Sequence, residues 1–172
     1  MGGHDDRRPE RPPAGAGVGG HCIAVDPWFI VDKNPNEARL IRTAREVNDY
    51  KPEWVLDQVK QKLEQLHQQY PDKARKQFSI ACLGLAFKPD IDDLRESPAV
   101  AIAQAITALG TQTKVVEPNI TVLPKKLQQE NVQLTSLDEA LVQADIICIL
   151  VKHSDFSQIG PKIQSQLSID AV

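Results

Sequence analysis

The chain has 172 residues, of which 41% are hydrophobic, and it carries 20 basic and 23 acidic side chains. This length suffices for one domain with its own core and is too short for two full enzyme domains. A net charge of −3 with mixed signs excludes the electrostatic signature of a protein that binds nucleic acid or an anionic membrane. The sequence shows neither a membrane-spanning apolar run nor a signal segment, and its three scattered cysteines do not form a disulfide framework. We therefore expect a cytoplasmic protein.

Glycine is concentrated at the start of the chain, where six of the nine glycines fall within the first twenty residues. Residues 1–13 have no apolar side chain after Met1 and are rich in proline, arginine and acidic residues. Such a segment cannot bury enough surface to offset the entropy lost on ordering. We expect residues 1–13 to be disordered or unrelated to the rest of the chain.

Residues 14–35 contain a glycine-rich stretch that matches the spacing G-x-G-x-x-G from Gly15 to Gly20. A dinucleotide fingerprint requires a strand before these glycines and a helix after them. We expect neither, because the following apolar segment is interrupted by Asp26-Pro27. We predict a loop in which the glycines let backbone N–H groups approach a ligand closely.

Cys22 follows this glycine stretch, with His21 before it and Asp26 four residues later. Backbone donors beside a cysteine can stabilise a thiolate or an oxyanion, so a nucleophilic role is favoured over a buried structural thiol. Asp26 either activates water to cleave a thioester or caps a turn. Cys82 and Cys148 lie in apolar runs and are predicted to be structural. We predict no metal site, because His21 and Cys22 lack a second pair of ligands.

Residues 36–70 have helix-forming composition without glycine and an apolar stripe at helical spacing. The residues of this stripe are Val55, Val59, Leu63, Leu66 and Tyr70. Pro52 either begins a second helix or kinks a single long one. The stripe packs either on a partner chain or on the chain's own domain, and the sequence does not decide between these two.

From residue 78 onward, apolar runs alternate with segments of helical pattern. We predict strands at 78–84, 113–117, 145–151 and 168–172, with helices that begin after Ser97 and after Ser136. Gly110 suits the left-handed end of the first of these helices. The alternation predicts an α/β fold with a Rossmann-like parallel sheet, preceded by the long helix and the glycine-rich loop.

The segment from 86 to 97 follows the first predicted strand and precedes a helix. It therefore lies at the carboxyl end of the sheet, where open α/β sheets bind their ligands. Lys88 and Arg95 could hold phosphate groups there, assisted by the N-terminus of the helix. Alternatively, both cations pair with the acidic residues of the same segment as a surface network. Both interpretations stay open at this point.

Five stretches together resemble the nucleotide-sugar 6-dehydrogenases, the UDP-glucose/GDP-mannose dehydrogenase family. They are GVGGHCIAVDPWFIV, AREVNDYKPEWV, LGLAFKPDIDDLRESPA, VVEPNI and SLDEALVQADIICILVKHSDF. The resemblance runs in family order from Gly17 to Val172. His21 and the residues 26–29 resemble the branch that oxidises UDP-N-acetyl-D-mannosamine, whereas Val25 stands where UDP-glucose enzymes carry lysine. Oxidation of another UDP-N-acetylhexosamine stays open.

The resemblance implies an NAD-dependent, four-electron oxidation of a sugar C6 alcohol to a carboxylate, which gives UDP-N-acetyl-D-mannosaminuronate for surface polysaccharides. The reaction passes through a thiohemiacetal and a thioester on the family's cysteine. Cys22 matches this nucleophile, and Asp26 matches an aspartate associated with the hydrolytic water. The positions that match UDP-sugar contacts are Gly19, Phe87 and Lys88. Arg95 matches an arginine that reaches the cofactor.

The resemblance also implies a division of the chain. Residues 14–35 would form the catalytic cysteine loop, 36–70 the central helix of a homodimer, and 77–172 a UDP-sugar-binding Rossmann-like domain that lacks its C-terminal end. The family's NAD-binding domain has no counterpart in this sequence, so we expect the isolated chain to be inactive. The alternatives are a UDP-binding and dimerisation module without catalysis and a thiol-dependent hydrolase built on Cys22 and His21. The hydrolase is disfavoured because adjacent residues rarely place a nucleophile and its base in contact.

Overall fold

The computed structural model describes residues 15–160, 163 and 167–171, so the expectation for residues 1–13 lies outside the described residues. The helices are α1 (His21–Lys33), α2 (Arg39–Gln69), α3 (Pro98–Thr107) and α4 (Leu137–Gln143). The strands are β1 (Ser79–Leu83), β2 (Gln112–Val116), β3 (Val132–Leu134), β4 (Ile146–Ile149) and β5 (Leu167–Asp170). Within this described part, no helix offers an apolar stretch long enough to cross a bilayer.

Helix α1 begins directly after the glycine-rich stretch. The expectation of a loop through residues 14–35 is therefore wrong for most of that range, and a helix does follow the glycines. Pro27 lies inside α1 and cannot donate the usual hydrogen bond to the carbonyl of Ile23, four residues earlier. The buried guanidinium of Arg45 donates to that carbonyl instead, with Nη1 3.5 Å from the oxygen. A hydrogen bond from α2 thus satisfies the backbone carbonyl that Pro27 leaves without its usual partner in α1.

Helix α2 is one continuous helix of 31 residues, with Pro52 inside it rather than at the start of a second helix. The apolar stripe of its second half, from Val55 to Leu66, is buried in the core beside the sheet. This half therefore packs on the chain's own domain. Tyr70 follows the helix and is exposed. In the first half, Leu40 and Val47 stay exposed.

The five strands form one parallel sheet in the order β3-β2-β1-β4-β5, which confirms the predicted α/β class. Successive side chains of the central strands enter different cores: Cys82 and Cys148 face α2 and α3, while Leu83 faces α4. Both thiols are fully buried, as predicted, and burial raises the pKa of Cys82 to about 12. The short edge strand β3 was not predicted, because three residues carry too little pattern.

The ends of α3 and α4 follow the sequence pattern in part. Gly110 adopts a positive φ of 79°, as predicted. Ser136 accepts a hydrogen bond from the N–H of Glu139 at 3.3 Å and caps α4. Helix α3 begins after Ser97, as predicted, but the side chain of Ser97 makes no capping hydrogen bond. Its hydroxyl donates to the carbonyl of Leu85 at 2.6 Å, because the segment after β1 folds back over the start of this helix.

Candidate active site

The glycine stretch packs directly on the segment that follows β1. A Cβ on Gly19 would overlap the carbonyl oxygen of Glu96 and lie 2.7 Å from Cδ of Pro98. Gly20 has a φ of +88°, and a Cβ there would lie 3.0 Å from the ring of Phe87. These glycines are therefore required by close contact with the protein itself. Their packing brings two sequence-distant parts of the predicted site together.

Asn48 of α2 holds the glycine stretch in place. Its Oδ1 accepts a hydrogen bond from the N–H of Val18 at 2.6 Å, and its Nδ2 donates to the carbonyl of the same residue at 3.3 Å. Asp49 accepts hydrogen bonds from Asn48 at 3.2 Å and from Arg45 at 2.8 Å. This role of Asn48 was not predicted from the sequence, since a lone amide on a helix gives no signal of its partner thirty residues away.

Cys22 is the second residue of α1, and its side chain is exposed. Its Sγ lies 3.7 Å from Nδ1 of His21, so the two adjacent residues are in contact, contrary to the expectation that disfavoured such a pair. The N-cap residue is Gly20, which offers no side-chain hydrogen bond to the first turn. The first-turn N–H groups therefore keep their capacity to donate to an anionic group.

Asp26 is exposed and lies one helical turn after Cys22. Residues at this spacing share one face of a helix, so the carboxylate and the thiol point to the same side of α1. Because Asp26 lies inside the helix, the alternative in which it caps a turn is wrong.

Lys88 and Arg95 are both exposed, Lys88 beside the ring of Phe87 and Arg95 within electrostatic range of Cys22. The Nζ of Lys88 lies 5.7 Å from the centroid of the Phe87 ring. Arg95 is clamped by Asp93, with Nη2 2.6 Å and Nε 3.0 Å from its carboxylate oxygens. These hydrogen bonds lower the pKa of Asp93 to about 2 and raise that of Arg95. The surface-network interpretation thus holds for Arg95, within electrostatic range of the thiol.

Glu117 and His153 form a buried pair under this surface, with Nε2 of the imidazole 3.0 Å from Oε2 of the carboxylate. Burial acts to raise the pKa of Glu117, but hydrogen bonds from His153 and from the N–H of Leu85 outweigh it, so the pKa lies below its usual value. Neither residue was predicted from the sequence as part of the site, because each lies on a connection after a strand and no motif links them.

A groove of about 440 Å³ lies beside the glycine stretch, between α1, α2 and the start of α3. Trp28, Asn48 and Lys126 are among its lining residues. None of the predicted site residues lines this groove. Gly19 packs against Phe87, Lys88 and Arg95 lie on the same connection as Phe87, and Cys22 and Asp26 lie one turn apart on α1. No group of three or more His, Cys, Asp or Glu side chains among the described residues is arranged to hold a metal ion.

From β1 the strands are added first on one side (β2, β3) and then on the other (β4, β5), so the order reverses between β1 and β4. A dinucleotide would lie at this switch point. The connection there, residues 84–97, is fourteen residues long and contains the single glycine Gly84. A Cβ on Gly84 would lie 2.5 Å from Cβ of Val151, so packing against Val151 by itself requires a glycine here, and the connection lacks the further glycines of a dinucleotide fingerprint. The described residues therefore do not fit NAD at this switch point.

Two family descriptions match the chain. The UDP-glucose/GDP-mannose dehydrogenase family, UDP binding domain, matches residues 81–172, and the central domain of the same family matches residues 1–50. The UDP-N-acetyl-D-mannosamine dehydrogenase of Escherichia coli K12 is 57% identical over 159 residues, which are 91% of this chain and 37% of that protein. The chain thus spans little more than a third of this relative.

The chain is also similar to a second curated dehydrogenase and to two solved structures. The UDP-N-acetyl-D-mannosamine dehydrogenase of Campylobacter jejuni is 53% identical over 84% of this chain and 34% of its own length. Among solved structures, the UDP-N-acetyl-mannosamine dehydrogenase Cap5O from Staphylococcus aureus is 31% identical with a TM-score of 0.68, over 94% of this chain and 35% of that one. A UDP-glucose dehydrogenase from Pyrobaculum islandicum, at 22% identity and a TM-score of 0.72 over 91% of this chain and 35% of that one, shares the fold.

Proposed function

The chain belongs to the UDP-glucose/GDP-mannose dehydrogenase family. We propose that it is the part of a nucleotide-sugar 6-dehydrogenase that carries the nucleophilic cysteine and binds the UDP-sugar. Its substrate in this proposal is UDP-N-acetyl-D-mannosamine, after the names of its relatives. The observation that carries the proposal is the contact between Gly20 and the Phe87 ring. This contact joins the nucleophile segment to the nucleotide-sugar segment in one site.

Cys22 is the nucleophile of this proposal. Its thiol passes a proton to His21, and the sulfur adds to the carbonyl carbon of a C6 aldehyde, whose π electrons move to oxygen. The S–C bond forms a thiohemiacetal, and the developing oxyanion meets the uncapped N–H groups at the start of α1. The 3.7 Å contact between Cys22 and His21 supports this proton transfer.

Asp26 serves the hydrolysis of the thioester, which would form once NAD, bound by a domain outside this chain, had taken a hydride from the thiohemiacetal carbon. Its carboxylate takes a proton from water while the water oxygen adds to the thioester carbon. The C–S bond then breaks, the thiolate leaves, and the sugar carries a carboxylate. The position of Asp26 one turn from Cys22 on the same face supports this role.

Lys88 and Phe87 form the proposed contact surface for the UDP-sugar. The ammonium group of Lys88 suits a diphosphate, and the half-buried ring of Phe87 offers an apolar surface beside it. Arg95, oriented by Asp93, is the residue that reaches NAD in this proposal. The cofactor itself would be bound by a domain outside this chain, so the isolated chain is proposed to turn over no substrate.

A homodimer through residues 36–70 is part of the same proposal. The second half of α2 is already covered by the chain's own core, so the first half is the part left for a partner. Leu40 is 82% exposed and Val47 66% exposed there. A reducing, cytoplasmic location is also proposed, because Cys22 is an exposed free thiol.

Calorimetry with UDP tests the binding part of this proposal. We expect the purified chain to bind UDP and Lys88→Ala to weaken binding by about tenfold, since one charge-assisted contact is lost. Lys60→Ala is the matched control, because Lys60 pairs with Asp57 on the surface of α2. Absence of UDP binding by the unsubstituted chain would refute the binding role.

Turnover is the second arm of the test. The chain, given NAD and UDP-N-acetyl-D-mannosamine, should make no NADH. NADH formation at an enzymatic rate that Cys22→Ser abolishes would show that the isolated chain is active. UDP binding without NADH formation is also the result expected of a binding and dimerisation module. Trapping of an added UDP-sugar C6 aldehyde as a Cys22 adduct separates the dehydrogenase part from that module.

A second candidate substrate is favoured by one relative. The NDP-N-acetyl-D-galactosaminuronic acid dehydrogenase of Ralstonia nicotianae is 54% identical over 91% of this chain and 35% of its own length. Competition calorimetry with UDP-N-acetyl-D-mannosamine and UDP-N-acetyl-D-galactosamine distinguishes the two. Tighter binding of the galacto sugar would replace the proposed substrate.

A further inference from the structure

We infer that Glu117 and His153 are positioning residues for the UDP-sugar: they fix the backbone of residues 85–90 and thereby place Phe87 and Lys88. This inference rests on the proposed function, because it takes those two side chains as substrate contacts. Neither Glu117 nor His153 reaches the surface, since both side chains have no exposed area. They therefore act through the segment above them.

Glu117 is surrounded by hydrogen-bond donors. Its Oε2 accepts from the N–H groups of Leu85 at 2.6 Å and Ala86 at 3.1 Å, and it lies 3.0 Å from Nε2 of His153. Its Oε1 accepts from the backbone N–H of Asn119 and from its side-chain Nδ2, both at 3.2 Å. Only an ionised carboxylate accepts at both oxygens, so an amide here would oppose a donor with a donor at one of them.

His153 holds the other end of the same segment. The backbone N–H of Asp90 donates to Nδ1 of His153 at 2.9 Å, so Nδ1 is an acceptor and the ring proton lies on Nε2. That proton is donated to Glu117. The neutral imidazole therefore connects the carboxylate directly to the far end of the segment.

Residues between these two anchors have little freedom left. Asp90 adopts a positive φ of 61°, and its carboxylate accepts a hydrogen bond from the N–H of Ser154 at 2.8 Å. The N–H of Phe87 donates to the carbonyl of Asp93 at 3.1 Å. The backbone that carries Phe87 and Lys88 is thus fixed at its start by Glu117 and at its end by His153. A purely structural pair would stabilise the core without this link to the ligand surface.

A double-mutant cycle distinguishes a positioning role of the pair from a purely structural one. We expect His153→Leu to raise the Kd for UDP by about tenfold and His153→Gln to restore binding to within about threefold, because an amide both accepts and donates. His67→Leu, on the exposed end of α2, is the matched control. If His153 acts through Phe87 and Lys88, then His153→Leu weakens UDP binding less in the Lys88→Ala background than in the unsubstituted chain. Additive losses would overturn the inference.

Amide hydrogen exchange supplies a readout that needs no ligand. His153→Leu should speed exchange at Ala86 and Asp90 at least tenfold more than at Val115 in the neighbouring strand, while thermal melting confirms that the variant is folded. Equal changes at all three amides would overturn the inference. If the unsubstituted chain does not bind UDP, the proposed function fails, and the exchange result still decides whether the pair fixes this segment.

Discussion

At the scale of single residues, the chemistry of the site depends on one exposed thiol among three. Cys22 lies at the start of a helix in contact with His21, whereas Cys82 and Cys148 are buried in adjacent strands. The sequence predicted this division correctly. Apolar neighbours exclude water from the two strand cysteines, and glycines before Cys22 leave it uncovered.

Selective alkylation should report this difference. Iodoacetamide should modify the folded chain once, at Cys22, because burial raises the pKa of Cys82 to about 12 and that of Cys148 well above its ordinary value. Mass spectrometry counts the adducts, and Cys22→Ser should give none. Modification of a second thiol before unfolding would contradict the structure.

Asn48 is the residue that fixes the glycine stretch beside this thiol. Asn48→Ala should destabilise the fold by about 1 kcal/mol, because it removes two hydrogen bonds to Val18 whose exposed polar groups can then bind water. It should also change the alkylation rate of Cys22. Gln65→Ala, exposed on the same helix, is the control and should change neither quantity. Unfolding by denaturant measures the stability.

At the scale of elements, the glycine stretch and α1 act as one unit against the segment after β1. The prediction of a loop failed here because Pro27 is a helix breaker by local rules. The guanidinium of Arg45, on α2, donates to the carbonyl that Pro27 leaves free. A tertiary contact thus overrides local propensity.

Gly19→Ala tests how closely these elements approach. The added Cβ would overlap the Glu96 carbonyl and lie 2.7 Å from Pro98, so we expect a loss of roughly 1–3 kcal/mol and a displaced Cys22 segment. Gly15→Ala is the matched control, because its Cβ would meet only the carbonyl of Gly17, at an ordinary 3.6 Å. Thermal melting compares the two, and equal stabilities would show that the contact is looser than described.

At the scale of the whole molecule, one parallel sheet supports a site built from three separate stretches of chain. The glycine stretch before α1 contacts both α2 and the β1–α3 connection, and this connection lies at the carboxyl end of the sheet, where this fold class places ligands. The buried pair of Glu117 and His153 joins the connections after β1, β2 and β4 beneath that surface.

This pair predicts how stability depends on pH. The pKa of Glu117 is lowered in the folded state, so its contribution is fully present above the pKa of an unfolded glutamate and is lost as pH falls through the folded value. Stability should therefore decline in acid, below about pH 4.5. Denaturant unfolding across a pH series measures this. If the free energy of unfolding depends on pH in the same way in Glu117→Ala, other carboxylates are responsible.

The sequence by itself determined the α/β class, four of the five strands, the burial of Cys82 and Cys148, and the family. Each of these follows from a local pattern, such as the continuous apolar run within residues 145–151, or from a long motif. Only the tertiary structure decided that α1 tolerates Pro27, that Asn48 holds Val18, and that Glu117 lies against His153. The physical reason is that these features are hydrogen bonds between residues twenty or more positions apart, and such a partner is defined by folding alone.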